Sequence, residues 1–358
     1  MRFLVIGLGS MGKRRIRLLK KINDNYEIFG IDNNKERREK AKVEYGIKVF
    51  DTVIDAVSSY KFDGALICTS PLSHSKIMSQ LLEYDFAIFS EINLISEGYE
   101  NLINSNNKKL FLSSTFLYRR DIQWIINKVD NARVNYIYHV GQYLPDWHPW
   151  ESYKDFFVYD KRSNGCREIL AIEMPWIVQG FGKIKDMYIK KDNLSNLKID
   201  YPDNYIINFT HENGSKGVVI VDIVSRCAIR NLEIFNEDLH ITWNGTPQSL
   251  QDYSIQKKKM LNITTYKEID KDNNYAANII ENSYMDEIKA FIALINGDNT
   301  KIKYSYKQDL EILNILDMIV LKKIISKEYR ETLNSDISSD GAHNSADLTL
   351  LRQKLLAA

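Results

Sequence analysis

Apolar positions in the first third of the chain come in short, nearly continuous runs, at residues 2–6, 26–31, 47–50, 64–68, 86–89 and 110–112. Between most of these runs, apolar residues recur at three- and four-residue spacing among polar ones. Continuous apolar strands alternating with amphipathic helices predict a parallel sheet covered on both faces, a doubly wound α/β unit spanning residues 1–117. Beyond it the pattern changes to longer β-type runs at 135–143, 183–189, 205–211, 217–224, 231–235 and 239–243, separated by turns such as Glu212-Asn213-Gly214. These runs predict an α+β domain over residues 118–330, built on a largely antiparallel open sheet and ending in two amphipathic helices near 276–296 and 306–328. Residues 331–358 differ in composition and read as a flexible tail with a detached short helix at 348–358.

The first run leads straight into Gly7-Leu8-Gly9-Ser10-Met11-Gly12 and then a helical pattern. Each glycine has a mechanical reason: Gly7 for the tight turn, Gly9 for close approach of backbone to a pyrophosphate, Gly12 for helix–strand packing. Phosphates then sit on the N–H groups at the helix start, around Ser10, Met11 and Gly12. The second strand ends at Asp32, at the spacing of about 20 residues where a carboxylate meets the ribose hydroxyls of a dinucleotide. Strand, turn, helix, strand and acid agree on a Rossmann-type site for NAD. Asp32 repels a 2′-phosphate, while Lys35, Arg37 and Arg38 are near enough to keep NADP possible. Asp32 can otherwise cap the next helix.

The 358 residues carry 48 Lys and Arg against 47 Asp and Glu, a formal net charge of +1, which gives no general drive toward nucleic acid or an anionic membrane. Cys68, Cys166 and Cys227 are far apart, without metal-ligand spacing, so no metal is expected and a cytoplasmic location is. The apolar start reads as a strand and not a signal peptide, and no window reaches the length of a membrane span.

The glycine turn, Asp32, Thr69-Ser70-Pro71 with His74, the Ser90-Glu91 end of the fifth strand and the sheet domain that follows resemble the Gfo/Idh/MocA oxidoreductases over about residues 1–330. The resemblance implies an NAD(P)-dependent enzyme acting on sugars or polyols. It adds Thr69, Ser70, Pro71, His74 and Glu91 to the cofactor set, and it implies a homodimer or homotetramer paired through a sheet face. Two positions depart from the family pattern. Members usually read Glu-Lys-Pro where this chain reads Glu91-Ile92-Asn93, and their Asp-x-x-x-His helix places Glu168 at the aspartate and Ile172 at the histidine.

Replacement chemistry has two candidate proton carriers. Glu173 adjoins the missing histidine and serves if desolvation raises its pKa; alternatively it forms a structural ion pair with Arg167 or another cation. His148, in the segment 142–151, titrates near neutral pH, or is simply hydrogen-bonded under the sheet. Trp147 and Trp150 either stack on a sugar ring or pack as an aromatic loop. On the Cys166-Arg167-Glu168-Ile169 helix, Trp176 shares a face with Glu173, and Arg167 lies on another side; both are carried as substrate candidates. Tyr118 and Arg120 lie where the family places substrate contacts, and an arginine there suits an anionic sugar, unless it is a surface residue at a helix start.

The leading expectation is an oxidoreductase of a nucleotide sugar, amino sugar or polyol. The segment 142–151 also resembles members linked to surface-sugar biosynthesis. The alternatives are a cofactor-binding protein without redox turnover, acting as sensor or assembly partner, and a reductase of a non-sugar substrate.

Overall fold

The structure is a computed structural model and describes residues 1–105, 109–148, 151–271 and 279–332. Met1–Leu316 form one compact unit. The first sheet consists of β1 (Arg2–Ile6), β2 (Glu27–Ile31), β3 (Lys48–Phe50), β4 (Gly64–Ile67), β5 (Ala87–Ser90) and β6 (Leu110–Leu112). Its order is β3-β2-β1-β4-β5-β6 and every neighbouring pair is parallel. The helices α1 (Ser10–Ile22), α2 (Lys35–Tyr45), α3 (Val53–Ser59), α4 (His74–Leu81) and α5 (Tyr99–Ile103) form the crossovers. The strand order reverses between β1 and β4, the place where such sheets bind ligand beyond their carboxyl ends.

Phe3, Leu4, Val5, Leu66, Ile67, Ile88 and Phe89 are fully buried, as continuous apolar strands require. Burying one such large side chain contributes about 1.5–3 kcal/mol.

The second sheet has the order β14-β13-β12-β11-β7-β10-β9-β8. Its strands are β7 (Asn135–Gly141), β8 (Ile184–Asp192), β9 (Asn204–His211), β10 (Lys216–Asp222), β11 (Ile229–Phe235), β12 (His240–Trp243), β13 (Gln251–Ser254) and β14 (Lys259–Asn262). All its pairs are antiparallel except β7 with β10. The β13–β14 hairpin was not expected from the sequence, because its strands are short and largely polar, as edge strands tend to be.

Helix α6 (Arg120–Val129) precedes the second sheet, and α7 (Gly165–Phe181) packs on one of its faces. There Trp176 meets Tyr138 edge-on, and Phe181 stacks on Tyr136 at 4.0 Å. The other face is open, with Ile137 44% and Ile206 38% exposed. Helix α8 (Glu281–Ile295) returns to the first sheet, where Phe291 packs edge-on against Phe89 and Phe111. The last helix among the described residues, α9, runs Tyr306–Thr332. The remaining residues of the expected tail, 333–358, lie outside the described residues, as does Trp150.

Candidate active site

A single cleft of about 1520 Å³ runs from the end of β1 to the N-terminal half of α7. At its first end Gly7 takes φ +93° and donates its N–H to Ile31 at 2.7 Å. A Cβ on Gly12 would stand 1.9 Å from the Gly7 carbonyl oxygen, so no larger residue fits while helix and strand keep this approach. Gly9 faces the cleft, where a Cβ would meet only Arg37, at 3.8 Å. Helix α1 begins there without a side-chain cap. Open backbone at an uncapped helix start fits a pyrophosphate.

Asp32 closes this end. Its Oδ2 accepts from Leu8 N–H and its Oδ1 from Asn34 N–H, both at 2.8 Å. The cap of α2 is Asn34, which accepts from Arg37 N–H at 3.2 Å, so Asp32 remains a cleft residue. The Arg37 guanidinium lies 3.9 Å from the Asp32 carboxylate.

Thr69, Ser70, Pro71, His74 and Glu91 all line the cleft. His74 is buried, with Nε2 3.0 Å from the Thr69 carbonyl and Nδ1 2.8 Å from the Asn93 side chain. Burial lowers its pKa, so the ring is neutral and donates to the carbonyl, the fixed acceptor of the two. His74 therefore holds the Thr69–Pro71 turn in place. Glu91 is gripped by Arg15, at 2.6 and 3.1 Å.

Helix α7 supplies the other end. Asn164 caps it, accepting from Arg167 N–H at 2.7 Å. Glu168, Ile169 and Ile172 share the face toward the cleft, while Glu173 and Trp176 share the face toward the sheet. Glu173 is fully buried, and its carboxylate accepts from Tyr138 Oη and Trp176 Nε1 at 2.7 Å and from Arg230 Nη2 at 2.7 Å and Nε at 3.1 Å. These bonds are those of the alternative reading, a structural ion pair, with Arg230 and not Arg167 as its cation. Trp176 is likewise core, and Arg167 is buried with its Nε on the Leu94 carbonyl at 2.6 Å.

Glu168, which sequence reasoning passed over, lines the cleft half-buried. Its Oε2 is buried with no hydrogen-bond partner, and burial pushes its pKa up to about 8. The signal was its position, one turn before Ile172 on the cleft face.

Trp147 lines the cleft with Nε1 donating to the Gln142 carbonyl at 3.0 Å. His148 lines it too, packed against Phe156 at 4.4 Å, with Nδ1 3.2 Å from Glu151 Oε1. Burial lowers the His148 pKa, against the pull of Glu151. Tyr118 and Arg120 do not line the cleft. Tyr118 is buried with its hydroxyl on the Lys301 carbonyl at 3.0 Å, and Arg120 lies over Tyr266 and 3.8 Å from Asp286. The arginines that do reach this end are Arg119, bound to Asp121, and Arg230, bound to Glu173. Among the described residues no three His, Cys, Asp or Glu side chains gather as for a metal ion, and no helix is long and apolar enough to cross a membrane.

Residues 1–92 match the model of the oxidoreductase family, NAD-binding Rossmann fold, of the Gfo/Idh/MocA group. Among solved structures the chain is similar to a levoglucosan dehydrogenase in complex with NADH and L-sorbose, 14% identical, covering 89% of this chain and 96% of that one at a TM-score of 0.73. It is similar to a myo-inositol dehydrogenase from Corynebacterium glutamicum, 14% identical, covering 89% and 95% at 0.66. It also resembles a UDP-N-acetylglucosamine 3-dehydrogenase from Acidithiobacillus ferrooxidans, 16% identical, covering 89% and 96% at 0.68. No curated protein sequence matches. In class, these comparisons give an NAD-binding Rossmann domain of an oxidoreductase family over residues 1–92 and the shared fold beyond it. The match is confined to residues 1–92, and the cofactor of such a domain is a nicotinamide dinucleotide.

Proposed function

We propose that the substrate is a sugar derivative: a polyol, an amino sugar or a nucleotide sugar. The observation that carries this reading is the single cleft, which joins the phosphate turn to a chamber walled by Ile92, Trp147, Glu168 and Ile172. The three similar structures named above, a levoglucosan, a myo-inositol and a UDP-N-acetylglucosamine dehydrogenase, support it. The residues fit the cofactor: Gly7 through Gly12 for its phosphates, Asp32 for its ribose, and the Thr69–Pro71 turn and Glu91 along its remaining length. When bound, the nicotinamide supplies an acceptor or donor of hydride.

Charge narrows the substrate. Both arginines at the chamber end are already bound to carboxylates, whereas Glu151 and Asp155 add negative charge there. A neutral or amine-bearing sugar suits this wall better than a sugar acid. Trp147, with its indole N–H already placed, offers ring surface for stacking. A role in surface polysaccharide synthesis is carried only by the resemblance of the 142–151 segment. A homodimer or homotetramer is proposed on the resemblance as well, and the exposed Ile137 and Ile206 on the open sheet face support it.

The test follows nicotinamide absorbance while the protein and NAD or NADP meet polyols, amino sugars and nucleotide sugars, with the reduced cofactors and keto-sugars as the reverse arm. Reduction of cofactor by at least one panel member is expected. Silence across both arms, with NADH binding measured in parallel by fluorescence, would sink the sugar reading.

A further inference from the structure

We infer that Glu168 is the catalytic residue that exchanges the proton with the substrate oxygen. This rests on the dehydrogenase reading and names the group that reading leaves open. Of the other acidic groups at this end, Asp155 is exposed to solvent and three are committed. Glu91 is bonded to Arg15, Glu173 to Tyr138, Trp176 and Arg230, and Glu151 lies against His148. Glu168 lines the cleft with a buried oxygen that has no hydrogen-bond partner. Buried polar atoms in native proteins are normally satisfied, and one that faces a ligand chamber awaits its partner from the ligand.

The walls explain its chemistry. Ile92 and Ile172 stand where resembling proteins carry lysine and histidine, and Ile169 and Ala171 add apolar surface from the same helix. With so little polar contact the carboxyl stays protonated at neutral pH, its value about 8 being set by burial. The ionisable groups around α7 at this level are Cys166 and Arg167 of the helix itself, Tyr201, Asp203, Tyr205 of β9 and Asp222 of β10. Across the cleft are Arg119, Arg230, His148, Glu151 and Asp155. None of these charges contributes to the Glu168 shift.

In the oxidising direction the substrate O–H bond breaks and its proton passes to the Glu168 carboxylate. The electron pair left on oxygen completes the C=O bond as hydride leaves the same carbon for the oxidised dinucleotide, which is reduced. In the reducing direction the protonated acid returns that proton. Below about pH 8 the acid form favours reduction, and above it the carboxylate favours oxidation.

Infrared difference titration of the whole protein tests the protonation without any substrate. The wild type and His148→Asn are expected to lose a carboxylic acid C=O band as pH rises through about 8, and Glu168→Gln to lack that band. The second arm uses whichever panel sugar is turned over. There Glu168→Gln is expected to lower kcat about 10²–10⁴-fold with NADH binding unchanged, and Glu168→Asp to recover part of it. A band that persists in Glu168→Gln, or turnover equal to wild type in that variant, overturns the inference. A wild type silent on every sugar overturns the dehydrogenase reading instead, while the band still decides the state of Glu168.

Discussion

Arg15 binds Glu91 through two hydrogen bonds of 2.6 and 3.1 Å and reaches Glu287 with a third of 2.6 Å. One fully buried guanidinium thus ties the phosphate-binding helix α1 to the end of β5 and to α8, which arrives from the far side of the second sheet in sequence. Glu287 passes the link on to Ser113 and Thr115 hydroxyls and the Ser114 N–H. The Glu91 position is held by the scaffold before any cofactor arrives.

Replacing this cation with Arg15→Met leaves two buried carboxylates without their partner. The expected loss is about 3–5 kcal/mol of stability, the range for breaking a buried ion pair from one side. Burial raises the Glu287 pKa and Arg15 pulls it down, so the variant raises it further. A carboxyl whose folded pKa lies above its unfolded value contributes stability below the unfolded value and loses it as pH rises through the folded one. Urea unfolding should therefore show the deficit largest at neutral pH and smaller near pH 4. A deficit independent of pH would assign the effect to packing.

Asp32→Ala tests the ribose end. The carboxylate orders Leu8 and Asn34 through their N–H groups while Arg37 stands 3.9 Å away. Losing one charge-assisted hydrogen bond of about 1.5–3 kcal/mol should weaken NADH about 10–100-fold. NADPH should lose less, because removing the carboxylate frees Arg37 for a 2′-phosphate. Fluorescence titration of both reduced cofactors measures the ratio, and equal losses would show that Asp32 does not read the ribose.

Glu173→Gln separates a structural carboxylate from a catalytic one. Arg230 keeps its charge beside Tyr138 and Phe116 but loses its anion, and a cost of about 3 kcal/mol is expected. The melting temperature should fall while the pH dependence of turnover keeps its midpoint. A displaced midpoint at unchanged stability would return Glu173 to the chemistry.

The strand order around Gly7–Gly12 and Asp32 was legible because each local signal there has one mechanical use and all of them agree. The second sheet was legible as alternating runs, apart from the polar β13–β14 hairpin. The substrate end was read less well, for a reason visible in α7. Glu168 and Glu173 are five residues apart, and sequence spacing does not say which of two helix faces meets a cleft and which a sheet. Tertiary packing decides that, and Tyr138, Trp176 and Arg230 claim Glu173. Arg15 had a signal that was not used: it is a charged residue three positions after Gly12, on the buried side of α1 with Ile16 and Leu19.

Ile172→His probes the Glu168 assignment from its own helix. Residues four apart on a helix are neighbours, so the new imidazole stands one turn from the Glu168 carboxyl, on the same cleft-facing side. A protonated imidazole at that distance favours the carboxylate, and the Glu168 pKa should fall below its present value of about 8. The imidazole pKa should rise in return. Oxidation then gains at neutral pH, because more of the enzyme carries the base form, and reduction loses its acid there. The infrared carboxyl band should titrate at lower pH than in the wild type, and the acid limb of the oxidation profile should move with it. A band that stays at about 8 places the carboxyl away from residue 172, and with it away from the chamber.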